Sequence, residues 1–453
     1  MSDGYTATHG LMQLLRYQNN YPSPSTGSQV NADQAHALLG GIPPVMLQYS
    51  TNMQINLFGD YPTHKDYAPS AIFAAVFGII MILHLVIFLV NYSRGHYFWL
   101  SLGWSFYGLC RFVGFVMRPI WAKDLSRTRI GISDEVFLIL PSIFLVSFNL
   151  ILAQRLFTWR HPVGGSRRLF WAIMIGLYIF VCGVVAMTIV ASAVPYLYFL
   201  SGEVFSRYQK TVKCSAILII LYSLTSIALI ALSYFFKPTT KDENLYTYQP
   251  WWIESFSPFY FVKKNAAQEA EETFMKRNHN HRHAIRVIAA THHHNNMVEG
   301  LTNERGDLKH NISLCIISIS TLFIFLGAVL RAVVVFQGNV KMNASPVGSP
   351  VMMYIFWGLL ETIINVMYLV GRVDLRFYRP DRLPQKVRAI ITAEQSLEPS
   401  IMEYTDLFVS YPDTQQSYSP QTSEDGFSFH NPPRESYFSK EDPFSDDKSE
   451  FRF

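Results

Sequence analysis

Seven strongly polar or ionisable side chains stand within or at the end of long apolar stretches of this sequence: His84, Arg111, Arg118, Asn149, Arg331, Glu361 and Asn365. Charge in apolar surroundings is costly unless it is paired, so such groups normally face one another or a polar cavity. Guanidinium groups at these positions could hold a carboxylate or phosphate, Glu361 could hold an arginine or a cation, and His84 could carry a proton. Helical spacing sorts them into faces. Trp104, Tyr107, Arg111, Gly114 and Arg118 recur at intervals of three and four, as do Trp357, Glu361, Asn365, Tyr368 and Arg372. Both stripes are polar and aromatic where a lipid-facing stripe would be aliphatic, so both are expected to point inward. Glu361 is expected to pair with Arg331 or Arg111, and the seven residues together are read as a ligand or substrate path. The alternative reading of the pair is an ion bridge that fixes helix register, and that of Asn149 is a bond to a neighbouring helix.

The elements that must position these residues are long. A bilayer core needs about 20 mostly apolar residues to be crossed as a helix, because lipid supplies no partner for backbone N–H and C=O groups. Seven blocks satisfy this: 70–92, 96–117, 134–157, 169–194, 213–236, 313–336 and 351–371. Only 15% of the chain is charged, against about 25% in an ordinary soluble protein. The fold class expected is therefore an all-α integral membrane protein, a seven-transmembrane-helix bundle. No cleaved signal peptide is expected, since Met1-Ser2-Asp3-Gly4-Tyr5 lacks a basic start followed by an apolar run. An outside N-terminus and a cytoplasmic C-terminus place 14 Lys and Arg near the inner span ends and 9 near the outer ones, the bias that the positive-inside rule favours. Asn343, in Asn343-Ala344-Ser345, then lies outside and is a candidate for glycosylation. The other two sequons, at Asn91 and Asn311, fall at inner span ends and are read as chance.

Outside the spans, residues 1–69 read as a loosely ordered extracytoplasmic polar tail, and 237–312 as a cytoplasmic loop. Within that loop Tyr246, Tyr248, Trp251, Trp252, Phe256, Phe259, Tyr260 and Phe261 read as an interfacial aromatic anchor. His279, His281, His283, His292, His293 and His294 invite a metal, but no Cys or carboxylate pattern completes a ligand set, so no metal is assigned. Residues 372–395 form a basic segment expected to lie against anionic lipid, and 396–453 a disordered cytoplasmic tail. Cys110, Cys182, Cys214 and Cys315 read as small buried hydrophobes.

The residues also resemble a known family. Tyr67-Ala68-Pro69-Ser70 leading through Phe73 and Phe77 to His84, then Arg111-Phe112-Val113-Gly114-Phe115-Val116-Met117-Arg118, then Leu140-Pro141 with Asn149, Ala153 and Arg155, are similar to the first three spans of the fungal seven-span lipid-translocating exporters associated with aminosterol resistance. Ile139-Leu140 before Pro141 and Glu361 in the last span mark a distant branch of that superfamily. The resemblance implies binding or translocation of an amphipathic lipid or lipophilic toxin, with membrane lipids and such a small molecule as partners.

The competing reading is a seven-span receptor or sensor acting on a cytoplasmic partner through loop 237–312 or the tail, and a second alternative is a structural membrane protein. No nucleophile–base pair, HExxH or GxxxxGK[ST] motif occurs, so no enzyme activity, catalytic residue or cofactor is assigned. A net charge of +4 gives no reason to expect nucleic acid. The plasma membrane is preferred over an internal one.

Overall fold

In the computed structural model of the chain, each of the seven apolar blocks folds as a helix. The structure describes residues 16–165, 167–237, 255–266 and 310–378, with residues 10, 13, 14, 247, 248, 253, 268, 269, 381 and 382. The His-rich stretch 279–294, the aromatic residues Tyr246, Trp251 and Trp252, and the tail after Ser396 lie outside the described residues.

Two short helices, α1 (Ser28–Leu39) and α2 (Pro44–Asn52), precede the long ones. Then come α3 (Tyr67–Ser93), α4 (Trp99–Lys123), α5 (Thr128–Arg160), α6 (Arg168–Leu197), α7 (Gly202–Phe235), α8 (His310–Gln337) and α9 (Pro350–Val370). All seven are long and apolar enough to cross a membrane. A final turn of helix, α10, spans Val373–Arg376. The one extended pairing between named strands among the described residues is two residues long, Thr247–Tyr248 against Asp381–Arg382.

Most long helices extend beyond the apolar block that marks them, because the outer turns are polar. α5 begins at Thr128, six residues before the first residue of its block, so Asp134 and Glu135 stand two turns inside the helix. α3 lies along α4, α4 on α5, α5 on α7, and α7 on both α6 and α8. Over their most apolar windows α4 is 56% buried and α6 only 17%, so α4 belongs to the centre and α6 to the rim. The rim faces are aliphatic and aromatic: Ile72, Ile79 and Leu89 on α3, and Ile173, Ile179 and Phe180 on α6, are exposed. Such a surface is unfavourable in water and expected in lipid. Cys182, Cys214 and Cys315 belong to this exposed set and only Cys110 is buried, which corrects the reading of all four as core residues.

Two breaks in helix regularity shape the interior. Pro141 removes a backbone N–H from the middle of α5, freeing carbonyls one turn earlier. Opposite it Gly114 lets α4 approach so closely that an added Cβ would stand 3.2 Å from the Phe137 carbonyl oxygen. In α9, Tyr354–Leu360 winds as a π-helix, a wider turn that ends at Glu361 and is common at functional sites. Gly358 in that turn touches the Phe73 ring, which is itself stacked on Phe115 and Tyr354.

The segment before α3 is not a loose tail over its described residues. It straps one end of the bundle by backbone hydrogen bonds: Ser23 N–H to Leu200 O (2.8 Å), Gly27 N–H to Pro195 O (2.8 Å), Asn56 N–H to Asn339 O (2.8 Å) and Lys341 N–H to Gln54 O (2.8 Å). The sequence hides this because the strap is polar and aperiodic; its partners are carbonyls and amides at the end of α6 and in loops far along the chain.

Candidate functional site

The inward stripes of α4 and α9 meet. Arg111, fully buried, donates from Nε to Glu361 Oε2 (2.7 Å) and from Nη2 to Glu361 Oε1. Glu361 also accepts from the Tyr107 hydroxyl (2.5 Å) and the Ser142 hydroxyl (2.9 Å). Arg111 also donates to the Leu138 carbonyl (2.5 Å), beside the break at Pro141, and to Ser142 Oγ (2.7 Å). Trp357 lies under the guanidinium, 5.3 Å from its centre. Asn365 donates to the Glu361 carbonyl at 2.7 Å and sits 3.4 Å from the Tyr107 hydroxyl. A buried pair with this many hydrogen bonds satisfies itself. Its geometry favours a helix lock over an open ligand site.

Asn149 forms a second lock one level along. Its amide donates to Ser320 (2.9 Å) and Thr321 (3.3 Å) on α8, and its carbonyl accepts from the Tyr368 hydroxyl on α9 (2.5 Å). His84 is buried beside Trp104, ring centres 5.6 Å apart, and its Nε2 has no hydrogen-bond partner among the described residues. Arg118 lies at the strapped end, where it donates to the carbonyls of Gly59 and Asp60 and stands 3.4 Å from Asp66 and 3.7 Å from Asp134. Asp66 in turn caps its own turn through Thr63 and accepts from the Tyr354 hydroxyl at 2.9 Å. So six of the seven sequence-chosen residues belong to packed helix contacts, with Arg111, Glu361 and Asn365 in one network.

Arg331 is the exception and corrects the expectation that it pairs with Glu361. It is buried, 8% exposed, and makes no hydrogen bond or ion pair among the described residues. It lines a cavity of about 170 Å³ between α5, α6, α7, α8 and the strap. Apart from Arg331 the lining is mainly apolar, including Ile139, Leu140, Ile143, Val185, Ile189 and Val334; the polar exceptions include Glu135, Thr128, Gln209 and Lys213. Glu135 is the carboxylate whose charge Arg331 feels. The two do not come within ion-pairing reach, and Glu135 Oε1 has no hydrogen-bond partner among the described residues. Ile139, Leu140 and Ile143 face the cavity from α5, whereas Leu138 and Ser142 of the same turn serve the Arg111–Glu361 lock. One helix therefore separates the locked charges from the open ones. The strap residues Ile55, Asn56, Leu57 and Phe58 also line the cavity, and next to them the Tyr61 hydroxyl meets that of Tyr196 at 2.9 Å. Burial, then the Tyr196 hydroxyl, pushes the Tyr61 phenol well above its ordinary range, so it remains neutral.

The opposite end of the bundle holds a second unexpected cluster. The basic segment after Gly371, expected on lipid, is buried from Arg372 to Tyr378. Arg372 makes a two-pronged pair with Asp374 (3.0 and 2.7 Å) and donates to the Ser257, Pro258 and Tyr260 carbonyls. Asp374 also accepts from Asn91 at 2.8 Å, which takes that sequon's amide out of reach. His96 bonds the Asp374 carbonyl (3.0 Å) and stacks on Tyr378, ring centres 4.0 Å apart. Phe261 lies beneath both Arg94 and Arg372, and Phe256 beneath Arg376, so these two rings pack on protein; Phe259 is 90% exposed.

Sequence reasoning missed Asp134, Glu135, Asp66 and the cavity itself. The acidic pair was legible only as the edge of an apolar block, and Asp66 only as part of a polar tail. Among the described residues, groups of His, Cys, Asp and Glu that could hold a metal are absent. A family model described as a protein of unknown function (DUF3112) matches residues 162–378. That stretch carries Arg331, Lys213, Glu361 and the Arg372–Tyr378 segment; Arg111 and Glu135 precede it. No curated protein and no solved structure matches the chain.

Proposed function

We propose that the chain is an integral membrane protein, N-terminus outside and C-terminus in the cytoplasm, that binds an amphipathic lipid or lipophile in the cavity beside Arg331 and moves it within or across the bilayer. The observation that carries this reading is the mainly apolar cavity of about 170 Å³ with, in its wall, a buried guanidinium unpaired among the described residues. Apolar pockets with a few convergent polar groups are the usual form of a small-molecule site. An unpartnered buried charge is costly, and a ligand that meets it recovers that cost. The Arg111–Glu361 pair, by contrast, is engaged by hydrogen bonds from within the bundle, so its role is to hold α4, α5 and α9 in register. The resemblance to lipid-translocating exporters, over the first three spans, points the same way.

The full chain in lipid nanodiscs is the material for the test, with binding of a dodecyl amphipath followed by tryptophan fluorescence. Ser192→Phe places a ring into the cavity from a half-buried lining position. It is expected to weaken binding by about tenfold or more, ~1.4 kcal/mol, at an unchanged melting temperature. Unchanged affinity in a stably folded variant would remove the cavity from the function.

A further inference from the structure

The wall of this cavity carries charge of both signs. Among the described residues Arg331 is buried without a hydrogen bond, and Glu135 presents a carboxylate oxygen that also lacks one. Both open on the same space, yet they do not reach each other. Lys213 adds a second cation on the wall, its Nζ 5.9 Å from the centre of the Phe336 ring. A purely anionic head would be repelled by Glu135, and a purely cationic head by Arg331 and Lys213. A neutral alkyl group would leave both charges stranded. Size narrows the choice further. A cavity of about 150 Å³ holds one benzene ring, so about 170 Å³ admits a polar head with part of one chain, and a second acyl chain would have to lie outside it.

Resting on the proposed reading of this cavity, we infer that its ligand is a single-chain zwitterionic amphipath, with the anionic group on Arg331 and a protonated amine on Glu135. The anion is a carboxylate or a phosphate, both of which a guanidinium accepts in two-pronged fashion. An amine that carries N–H groups suits Glu135 better than a quaternary ammonium, since an ionised carboxylate accepts hydrogen bonds. The chain runs past Ile139, Ile143 and Val334.

The test uses the full chain in nanodiscs of neutral lipid near neutral pH and five probes of matched dodecyl length. These are 2-aminododecanoic acid, dodecanoyl lysophosphatidylethanolamine, dodecanoic acid, dodecylamine and dodecanol. At least one of the two zwitterions is expected to bind about tenfold more tightly than the three others, and which one does so identifies carboxylate or phosphate as the anion. Glu135→Gln is expected to shift preference toward dodecanoic acid, and Arg331→Gln toward dodecylamine, a reciprocal change that a merely structural role would not produce. Should dodecanol bind as well as the zwitterions, the head-group assignment falls while the cavity as a lipophile site stands. Should none of the five bind, the reading of the cavity falls with it. The wild-type series decides the matter even where a variant does not fold.

Discussion

Arg111 and Glu361 illustrate how far a residue type can be trusted without its neighbours. Both stood out in the sequence because a charge inside an apolar block is rare, and the spacing of Tyr107, Arg111 and Gly114 placed them on an inward face. The partner could be narrowed only to two arginines, because helix order around the bundle is not written in any one helix. The structure chooses Arg111, and the pair makes four further hydrogen bonds: Arg111 donates to Leu138 and Ser142, and Glu361 accepts from Tyr107 and Ser142. Removing one member of such a pair leaves a buried charge alone, so Glu361→Gln is expected to cost about 3–5 kcal/mol of stability. Replacing both, as Arg111→Met with Glu361→Leu, is expected to recover most of that. Denaturant unfolding in detergent checks both values, and cavity binding by the folded double variant is expected to be retained. Arg331 looked the same in sequence and proved different, because its surroundings are set by α5, α6 and α7, whose contributions are mainly apolar and carry little mark. Glu135 was hidden for a related reason: an acidic residue at the edge of a hydrophobic block reads as interface until the helix is seen to begin six residues earlier.

Among the elements, α10 and the segment around it behave as a latch at the end opposite the strap. Its basic character suggested lipid contact, but the carbonyls of Ser257, Pro258 and Tyr260 and the carboxylate of Asp374 consume that charge. Long-range pairing of this kind has no periodicity and could not be foreseen from local pattern. The latch carries a pH dependence whose sign follows from burial. Burial pushes the His96 imidazole below its ordinary value of 6.5, partly opposed by Asp374, so the folded state favours the neutral ring. Its contribution is therefore complete above about pH 6.5 and is lost as pH falls below that value toward the depressed one. Asp374 adds a second, more acidic stage. Burial raises its carboxyl, but the bonds and charge of Arg372 outweigh this and hold it below the ordinary 3.8, so its contribution is present above 3.8 and fades beneath it. Melting temperature followed from about pH 7 to about pH 5 is expected to fall in the wild type and to fall less in His96→Gln. Equal slopes would show that another group governs this window.

For the whole molecule, the number and approximate limits of the long helices were legible, because hydrophobic length is a physical requirement that each helix meets alone. Sidedness was argued from basic residues, and the structure adds a constraint: the strap and the loop that follows α8 are paired through Ile55 and Val340, so they occupy one side. Asn343 is exposed in that loop. Expression in cells that glycosylate is expected to give a glycosidase-sensitive band lost in Asn343→Gln, and an N-terminal epitope accessible without permeabilisation; an epitope reached only after permeabilisation would invert the topology. The strap also bears on biogenesis. Its partners at Pro195, Leu200, Asn339 and Lys341 leave the ribosome long after the strap itself has been made. The roof over Arg331 can therefore close only once α8 and the loop beyond it have been synthesised, and until then the nascent chain holds an unsealed bundle whose first-made residues remain open to protease and chaperone.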